Sequence, residues 1–135
     1  GMYLEHQIEE IAKYVDRLLI HVYVKNPKSG FGFVNERLSY LAQTNIKMPK
    51  ISIIYSSETL FMGGWLKYYS LNKAEEIFIN SMRNKNENLF SKINFTDFTY
   101  YNYKNLSKSM KFYNQLEKTK SKIKAKKNKT ITLLN

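Results

Sequence analysis

The side chains that carry most acid–base and metal chemistry in proteins are few and scattered in this chain. It has two histidines, His6 and His21, and no cysteine, which excludes disulfides, thiolate nucleophiles and cysteine-based zinc sites. The two histidines lack the spacing of a metal-binding pair, so we expect structural or surface roles for both. No pairing is visible among the carboxylates of Asp16, Glu58, Asp97 and Glu117. We therefore predict a protein that works by binding and is not an enzyme.

Lysine is the residue type whose distribution points to a chemical partner. The formal net charge is +11, and residues 104–129 hold ten lysines against one acid, Glu117. The run EKTKSKIKAKKNK has the composition of an arm that contacts nucleic-acid phosphates without sequence preference. The predicted contact residues are Lys118, Lys120, Lys122, Lys124, Lys126 and Lys127.

Two other interpretations of the lysine-rich run stand beside nucleic-acid binding. A solvated, solubilising end in a lysine-rich protein explains the same composition, and the sequence leaves this alternative open. An anionic membrane surface would also attract the lysines. Ile123 is the only bulky apolar residue in the run, which disfavours insertion into such a surface.

Hydrophobic periodicity predicts a helix at the start of the chain and an extended segment after it. Apolar residues recur at steps of three and four from Leu4 onward, which predicts an amphipathic helix over residues 3–19. After this helix, apolar residues occur at every second position, as in a strand. The turn residues NPKSG separate two segments with this strand-like pattern. We therefore predict a β-hairpin over residues 20–35, followed by a helix over 36–43 that Asn35 caps.

The second half of the chain predicts further strands and helices. The β-branched run ISIIY begins an extended segment over residues 51–62, which is either a second hairpin turning at Ser56-Ser57 or a strand leading into a loop at Gly63-Gly64. Asn72 and Glu75 have the spacing of a capping box, which opens a helix that extends to about Met82. The run INFTDFTYYNY predicts a strand over 93–103, and a helix follows over 105–124.

These elements predict one small α+β domain over residues 2–116, with a small antiparallel sheet flanked by N-terminal and C-terminal helices. Residues 117–135 form a basic tail, which we expect to be frayed beyond residue 125. No apolar run approaches the roughly 20 residues of a membrane span. The start GMYLEHQIEEI lacks the pattern of a signal peptide, so we expect a cytoplasmic protein without a membrane span.

The stretch GFGFV, residues 30–34, resembles the inner strand motif of the RNA-recognition motif. In that family Phe31 and Phe33 would be base-stacking rings, since alternate strand residues share one face. The preceding helix, the strand-like LLIHVYVKN and the basic turn follow the same order. This resemblance implies an alternative function, a small basic nucleic-acid-binding protein that combines such a hairpin with the lysine tail.

The longer run VYVKNPKSGFGFVNERLSYLAQTN, residues 22–45, resembles the opening of a PAS sensory domain. That opening is a strand, a turn with glycine, a second strand ending in FVN and a helix, and Asn35 matches the family's usual asparagine. The resemblance implies a PAS-like antiparallel sheet whose N-terminal helix covers it and mediates a homodimer. It also implies that Phe33 is buried.

From the PAS resemblance we expect a sensory, ligand-binding and dimerisation module for signalling. A small apolar ligand would lie in a pocket lined by Tyr23, Phe33, Tyr55 and Trp65. The cofactor is unknown: no cysteine exists for a flavin adduct, and the predicted helix over 72–84 has no histidine for haem. The order of the strands after Asn45 is not predicted.

Overall fold

The computed structural model describes the backbone of residues 2–85 and 87–134 and the side chains of residues 7–85 and 87–127. Helices and strands alternate along most of the chain. Their bounds are α1 Met2–Ala12, β1 Arg17–Val22, α2 Pro27–Ala42, β2 Lys50–Ser56, a 3₁₀ helix Trp65–Lys67, α3 Leu71–Lys85, α4 Glu87–Lys92, β3 Phe95–Tyr101 and α5 Tyr103–Leu134.

Within the described ranges, three parallel strands form one sheet in the order β1-β2-β3. Neighbouring parallel strands need a crossover connection. Helix α2 forms the crossover between β1 and β2, and the segment containing α3 and α4 forms the one between β2 and β3. Both crossovers step in the same direction, and right-handed crossovers then put α2 and α3 on one face of the sheet. These two helices pack against each other, and α1 packs on α2.

The expected antiparallel, PAS-like sheet is therefore wrong, because the predicted hairpin over residues 20–35 does not form. The run GFGFV lies inside α2. The side chain of Asn26 accepts a hydrogen bond from the backbone N–H of Ser29 (3.1 Å), and Pro27 occupies the first helical turn. Both residues favour a helix start. A helix after β1 carries the chain back across the sheet, so that β2 lies parallel to β1.

The first helix is shorter than the sequence predicts. It ends at Ala12, whereas the apolar pattern continued to residue 19. The backbone N–H of Lys50 donates to the carbonyl of Asp16 (2.9 Å), which opens the β1–β2 ladder just before Arg17. Residues 17–19, which the pattern assigned to the helix, are thus strand residues because they pair with β2.

The last helix is longer than the sequence predicts, since α5 extends to Leu134 where the pattern predicted an end near residue 124. The division into a domain over 2–116 and a tail over 117–135 stays a prediction. No helix in the described part of the chain combines the length and the apolar character that crossing a membrane requires.

The core lies between the sheet and the helices α2 and α3, and it is rich in aromatic rings. Tyr55 of β2 stacks on Phe98 of β3, with 5.7 Å between ring centroids. Phe78 of α3 stands edge-on to Phe31 of α2 at 5.8 Å, which links the two crossover helices. Edge-on and offset pairs of this kind add to the free energy of burial. On the other face of the sheet, Leu19 is 52% exposed.

Candidate nucleic-acid interface

Helix α5 begins at a sharp change of direction after β3. Asn102 has φ 72°, a left-handed conformation that asparagine tolerates better than most residues. Its side-chain oxygen accepts the backbone N–H of Asn105 at 3.2 Å, which caps the first turn of α5. The chain therefore leaves the sheet at Tyr101 and enters α5 almost at once.

The first turns of α5 are fixed to the segment between β2 and α3. The buried hydroxyl of Ser109 donates to the carbonyl of Gly63 at 2.9 Å. Phe112 stands edge-on to Tyr68, with 5.5 Å between centroids. Gly63 itself lies close against the end of β2, since a Cβ atom there would lie 2.5 Å from the carbonyl oxygen of Ser57. The start of α5 is thus held in one orientation relative to the sheet.

One face of α5 carries a row of lysines, which we call the lysine stripe. Its members are Lys104, Lys108, Lys111, Lys118 and Lys122, and all five are exposed. Their separations of four, three, seven and four residues match 3.6 residues per turn, so they share one side of the helix. Leu106, Ser109 and Tyr113 lie on the opposite side, which faces the domain. From Lys104 to Lys122 the helix rises about 27 Å.

The lysines predicted from the tail divide between two sides of α5. Lys118 and Lys122 belong to the stripe, and the same spacing continues to Lys126. Lys120, Lys124 and Lys127 project from the other side of the helix. Glu117 forms an ion pair with Lys120 (3.3 Å), so the single acid of this helix lies off the stripe.

The sheet face turned away from α2 and α3 is open to solvent, and we call it the open face. The strand register puts Leu19 beside Ser52 and His21 beside Ile54 on this side. Leu19 is 52% exposed and His21 is exposed. Parallel sheets are ordinarily covered on both faces, so an uncovered one is a candidate binding surface.

The two ends of the open face differ in chemistry. At its amino end, the hydroxyl of Ser52 donates to Asp97, and this hydrogen bond lowers the pKa of the carboxyl. At its carboxyl end lies a group of rings that we call the aromatic cluster: His21, Tyr23, Phe61 and Tyr101. The carboxyl ends of parallel strands are where ligands bind in open α/β sheets.

The rings of the aromatic cluster centre on Tyr23. Its ring centroid lies 5.2 Å from that of His21, 5.1 Å from that of Phe61 and 6.3 Å from that of Tyr101, on which it stacks. Desolvation, the phenol of Tyr101 and the carboxylate of Glu58 together raise the pKa of Tyr23. Tyr101 is 53% exposed, His21 is exposed, and the other two rings are half-buried.

The four residues predicted to line a pocket do not come together. Tyr23 belongs to the aromatic cluster, and Tyr55 is fully buried on the helix side of the sheet. Trp65 stacks on Tyr69, with 4.5 Å between centroids. The prediction that Phe33 is buried is wrong: it is 53% exposed, because α2 turns it away from the sheet.

The hairpin of the RNA-recognition motif is also absent, because the residues GFGFV lie inside α2. Phe31 is buried in α2 against Phe78 and presents no free ring to a base. Sequence reasoning missed Phe61, Tyr101 and the stripe residues before Lys118. The helical spacing of the lysines was visible in the sequence, whereas the aromatic cluster depends on strand register.

Two further features bear on small ligands and metals. A cleft of about 200 Å³ lies between α5 and the start of α3, with Leu71, Met110 and Tyr113 among its lining residues. The side chain of His6 lies outside the described residues. Among the side chains that are described, no three His, Asp or Glu residues gather into a possible metal site.

Comparisons with protein-family models, with curated proteins and with solved structures give no match for this chain.

Proposed function

We propose that this protein binds nucleic acid, and that the lysine stripe of α5 contacts the phosphates. The observation that carries the proposal is the placement of five exposed lysines on the side of α5 opposite the residues that pack on the domain. Charge that merely keeps a protein in solution needs no common face. A row of ammonium groups along one face matches the row of phosphates on a nucleic-acid strand.

The dimensions of the stripe suit this partner. A rise of about 27 Å covers about eight phosphates along one strand of duplex DNA, which repeat every 3.4 Å. Each phosphate that a lysine neutralises releases condensed counterions, which makes binding favourable at low salt. Five contacts give a slope of log affinity against log salt of about −4.5 for duplex and about −3.5 for a single strand.

Nucleic acid fits α5 better than an anionic membrane does. A helix that lies in a membrane surface needs an apolar face beside its basic one. Between Glu117 and Lys127, Ile123 is the only bulky apolar side chain, and it is 51% exposed. The first turns of α5 already use their apolar side against the domain, at Leu106 and Tyr113.

The test is a titration of labelled single-stranded and duplex DNA with the whole chain, at about 50 mM and about 200 mM salt. We expect binding at the lower salt that weakens steeply at the higher one, with no preference among sequences. Vesicles that contain anionic lipid serve as the comparison. Binding to the vesicles without binding to either nucleic acid would overturn the proposal.

Other expectations stay predictions beside this one. Helix α1 packs on α2, where the hydroxyl of Tyr40 donates to the carboxylate of Glu9 at 2.8 Å. Ile11 of α1 is 53% exposed, and a homodimer through α1 is untested. A small apolar ligand, the absence of catalysis and a cytoplasmic location are also untested.

A further inference from the structure

The aromatic cluster lies at the end of the sheet from which α5 starts. We propose that a single-stranded nucleic acid stacks bases on this cluster while its phosphates continue along the lysine stripe. The inference rests on the proposed function and adds to it the class of nucleic acid and a second group of contact residues. The juxtaposition is covalently fixed, because Tyr101 is three residues before Lys104 and their Cα atoms lie within about 11 Å.

The rings of the cluster are available for stacking. Tyr101 is 53% exposed, and it ends β3 on the open face. Tyr23 and Tyr101 are inclined by 20° with 6.3 Å between their centroids, too far apart for full face-to-face overlap, so Tyr101 keeps exposed ring surface beside Tyr23. Phe61, which follows β2, contacts Tyr23 at an interplanar angle of 50° and adds a third ring to the cluster. Unpaired bases gain free energy on such rings, whereas bases inside a duplex are hidden from them.

Positive charge surrounds the cluster. Lys25 and Lys28 follow the carboxyl end of β1 and are exposed, and Lys104 follows that of β3. The N-terminus of α2, capped by Asn26, follows the carboxyl end of β1 and adds the positive end of a helix dipole at this end of the sheet. Bases on the rings would thus have their phosphates between the β1–α2 connection and the first turn of α5.

Glu58 is the acid that opposes this arrangement. Its carboxylate accepts a hydrogen bond from the hydroxyl of Ser56 at 3.0 Å, and its charge contributes to the raised pKa of Tyr23. The hydrogen bond holds the carboxylate at the end of β2. A single-stranded nucleic acid that binds here passes over the rings of Tyr23 and Tyr101, and its phosphates are directed to the lysines on either side.

The chemistry of the aromatic cluster and the lysines around it predicts which form of nucleic acid the protein binds. This surface offers ring faces and ammonium groups, which stack on any base and pair with any phosphate. Binding should therefore prefer single strands to duplex and should tolerate changes of sequence. The lysine stripe alone would bind both forms, so the contribution of the cluster is measured by the single-strand affinity that is lost when a ring of the cluster is removed.

The first experiment substitutes Tyr101 in the whole chain and measures binding to a labelled oligothymidylate and to duplex DNA. Tyr101→Leu should weaken oligothymidylate binding by about 5- to 150-fold, the range for losing one stacked base, and should leave duplex binding unchanged. Tyr101→Phe should retain the affinity, since the ring remains. Phe33→Leu is the matched control: Phe33 is also 53% exposed but lies on α2. It should have no effect.

The second experiment needs no substitution. An oligonucleotide that contains 5-iodouracil is crosslinked to the unmodified chain, and the crosslinked residues are mapped by mass spectrometry. Crosslinks at Tyr23, Phe61 or Tyr101 are expected. Crosslinks confined to α5, together with equal single-strand affinities for Tyr101→Leu and the unmodified chain, would overturn the inference and leave the lysine stripe standing. Failure to bind either nucleic acid at low salt would overturn both proposals.

Discussion

A Cβ atom on Gly30 would lie 2.9 Å from the phenol oxygen of Tyr55, closer than such atoms approach in proteins. Gly30 lies in the first turns of α2, and Tyr55 lies beneath it in β2. The absence of a side chain at Gly30 therefore lets α2 rest on the sheet. Burial, followed by the charge of Glu75, raises the pKa of the Tyr55 phenol.

Substituting Gly30 tests this contact. Gly30→Ala gains about 1 kcal/mol of helix propensity but overpacks the contact, which costs about 1–3 kcal/mol. We expect a net loss in the free energy of unfolding, measured by urea denaturation. Gly32 is the matched control, because a Cβ atom there would meet no atom within 4 Å. Gly32→Ala should stabilise the protein.

The phenol oxygen of Tyr55 is itself a source of instability. Among the described residues it is buried and has no hydrogen-bond partner. Tyr55→Phe should therefore leave the free energy of unfolding unchanged or raise it by up to about 2 kcal/mol. It should also reduce the cost of Gly30→Ala, which a double-mutant cycle measures. A loss of stability in Tyr55→Phe would contradict this description of the core.

The hydrogen bond between Ser109 and Gly63 fixes the start of α5. Ser109→Ala leaves the buried carbonyl of Gly63 without its donor, which should lower the free energy of unfolding by about 1–3 kcal/mol. Ser121→Ala is the control, because Ser121 is exposed farther along the same helix. Equal effects of the two substitutions in urea denaturation would contradict the role given to Ser109.

Glu75 makes stability depend on pH. Burial raises the pKa of its carboxyl above the ordinary 4.5, opposed by a hydrogen bond from the Tyr100 phenol. As the pH rises above 4.5, the unfolded chain loses this proton before the folded chain does. The contribution of Glu75 to the free energy of unfolding therefore falls until the pH passes the raised pKa.

We accordingly expect Glu75→Gln to gain stability relative to the unmodified chain as the pH rises from about 4 to about 7. Urea denaturation at several pH values measures the difference. Glu76→Gln is the control, since Glu76 is exposed and its i,i+3 pair with Lys73 is long, at 3.9 Å. A Glu75→Gln variant that loses relative stability over this pH range would show that the carboxylate is stabilised by the fold.

Glu58 should weaken binding at the aromatic cluster. Glu58→Gln removes a negative charge near Tyr23 and keeps an oxygen that can accept from Ser56. Removing the repulsion between this charge and one phosphate about 7–10 Å away should raise the oligothymidylate affinity roughly two- to threefold. Glu87→Gln removes the same charge from exposed α4 and should change the affinity less. An equal gain in both would mean that only net charge matters.

Sequence patterns predicted the elements whose residues fit only one hydrophobic period, either that of a helix or that of a strand. The helix predicted from Asn72 to about Met82 and the strand predicted over 93–103 correspond to α3, Leu71–Lys85, and β3, Phe95–Tyr101. The run after Pro27 carries two patterns at once. Phe31 and Phe33 alternate as in a strand, whereas Phe31, Val34, Leu38 and Leu41 recur as in a helix, and the second set is the buried one.

The direction of the strands and the binding surface could not be predicted from such patterns. Because α2 takes the place of the second hairpin strand, the chain returns across the sheet and β2 lies parallel to β1. The strand direction thus depends on the connection between β1 and β2, and the residues of the two strands do not reveal it. The lysine stripe follows from spacing in one helix and was accessible to sequence reasoning. The aromatic cluster was not, because Tyr23 meets Tyr101 only through the pairing of β2 with both other strands.

The most direct test of nucleic-acid binding by the lysine stripe compares two variants that lose the same charge. One carries Lys118→Gln and Lys122→Gln on the stripe, and the other carries Lys120→Gln and Lys124→Gln on the opposite side of α5. The measurement is the slope of log affinity against log salt for labelled oligothymidylate. We predict that the stripe variant has a slope shallower by about 1.4, the value for two lost phosphate contacts, while the other variant keeps the slope of the unmodified chain. Equal slopes in the two variants would contradict a phosphate-binding face on α5.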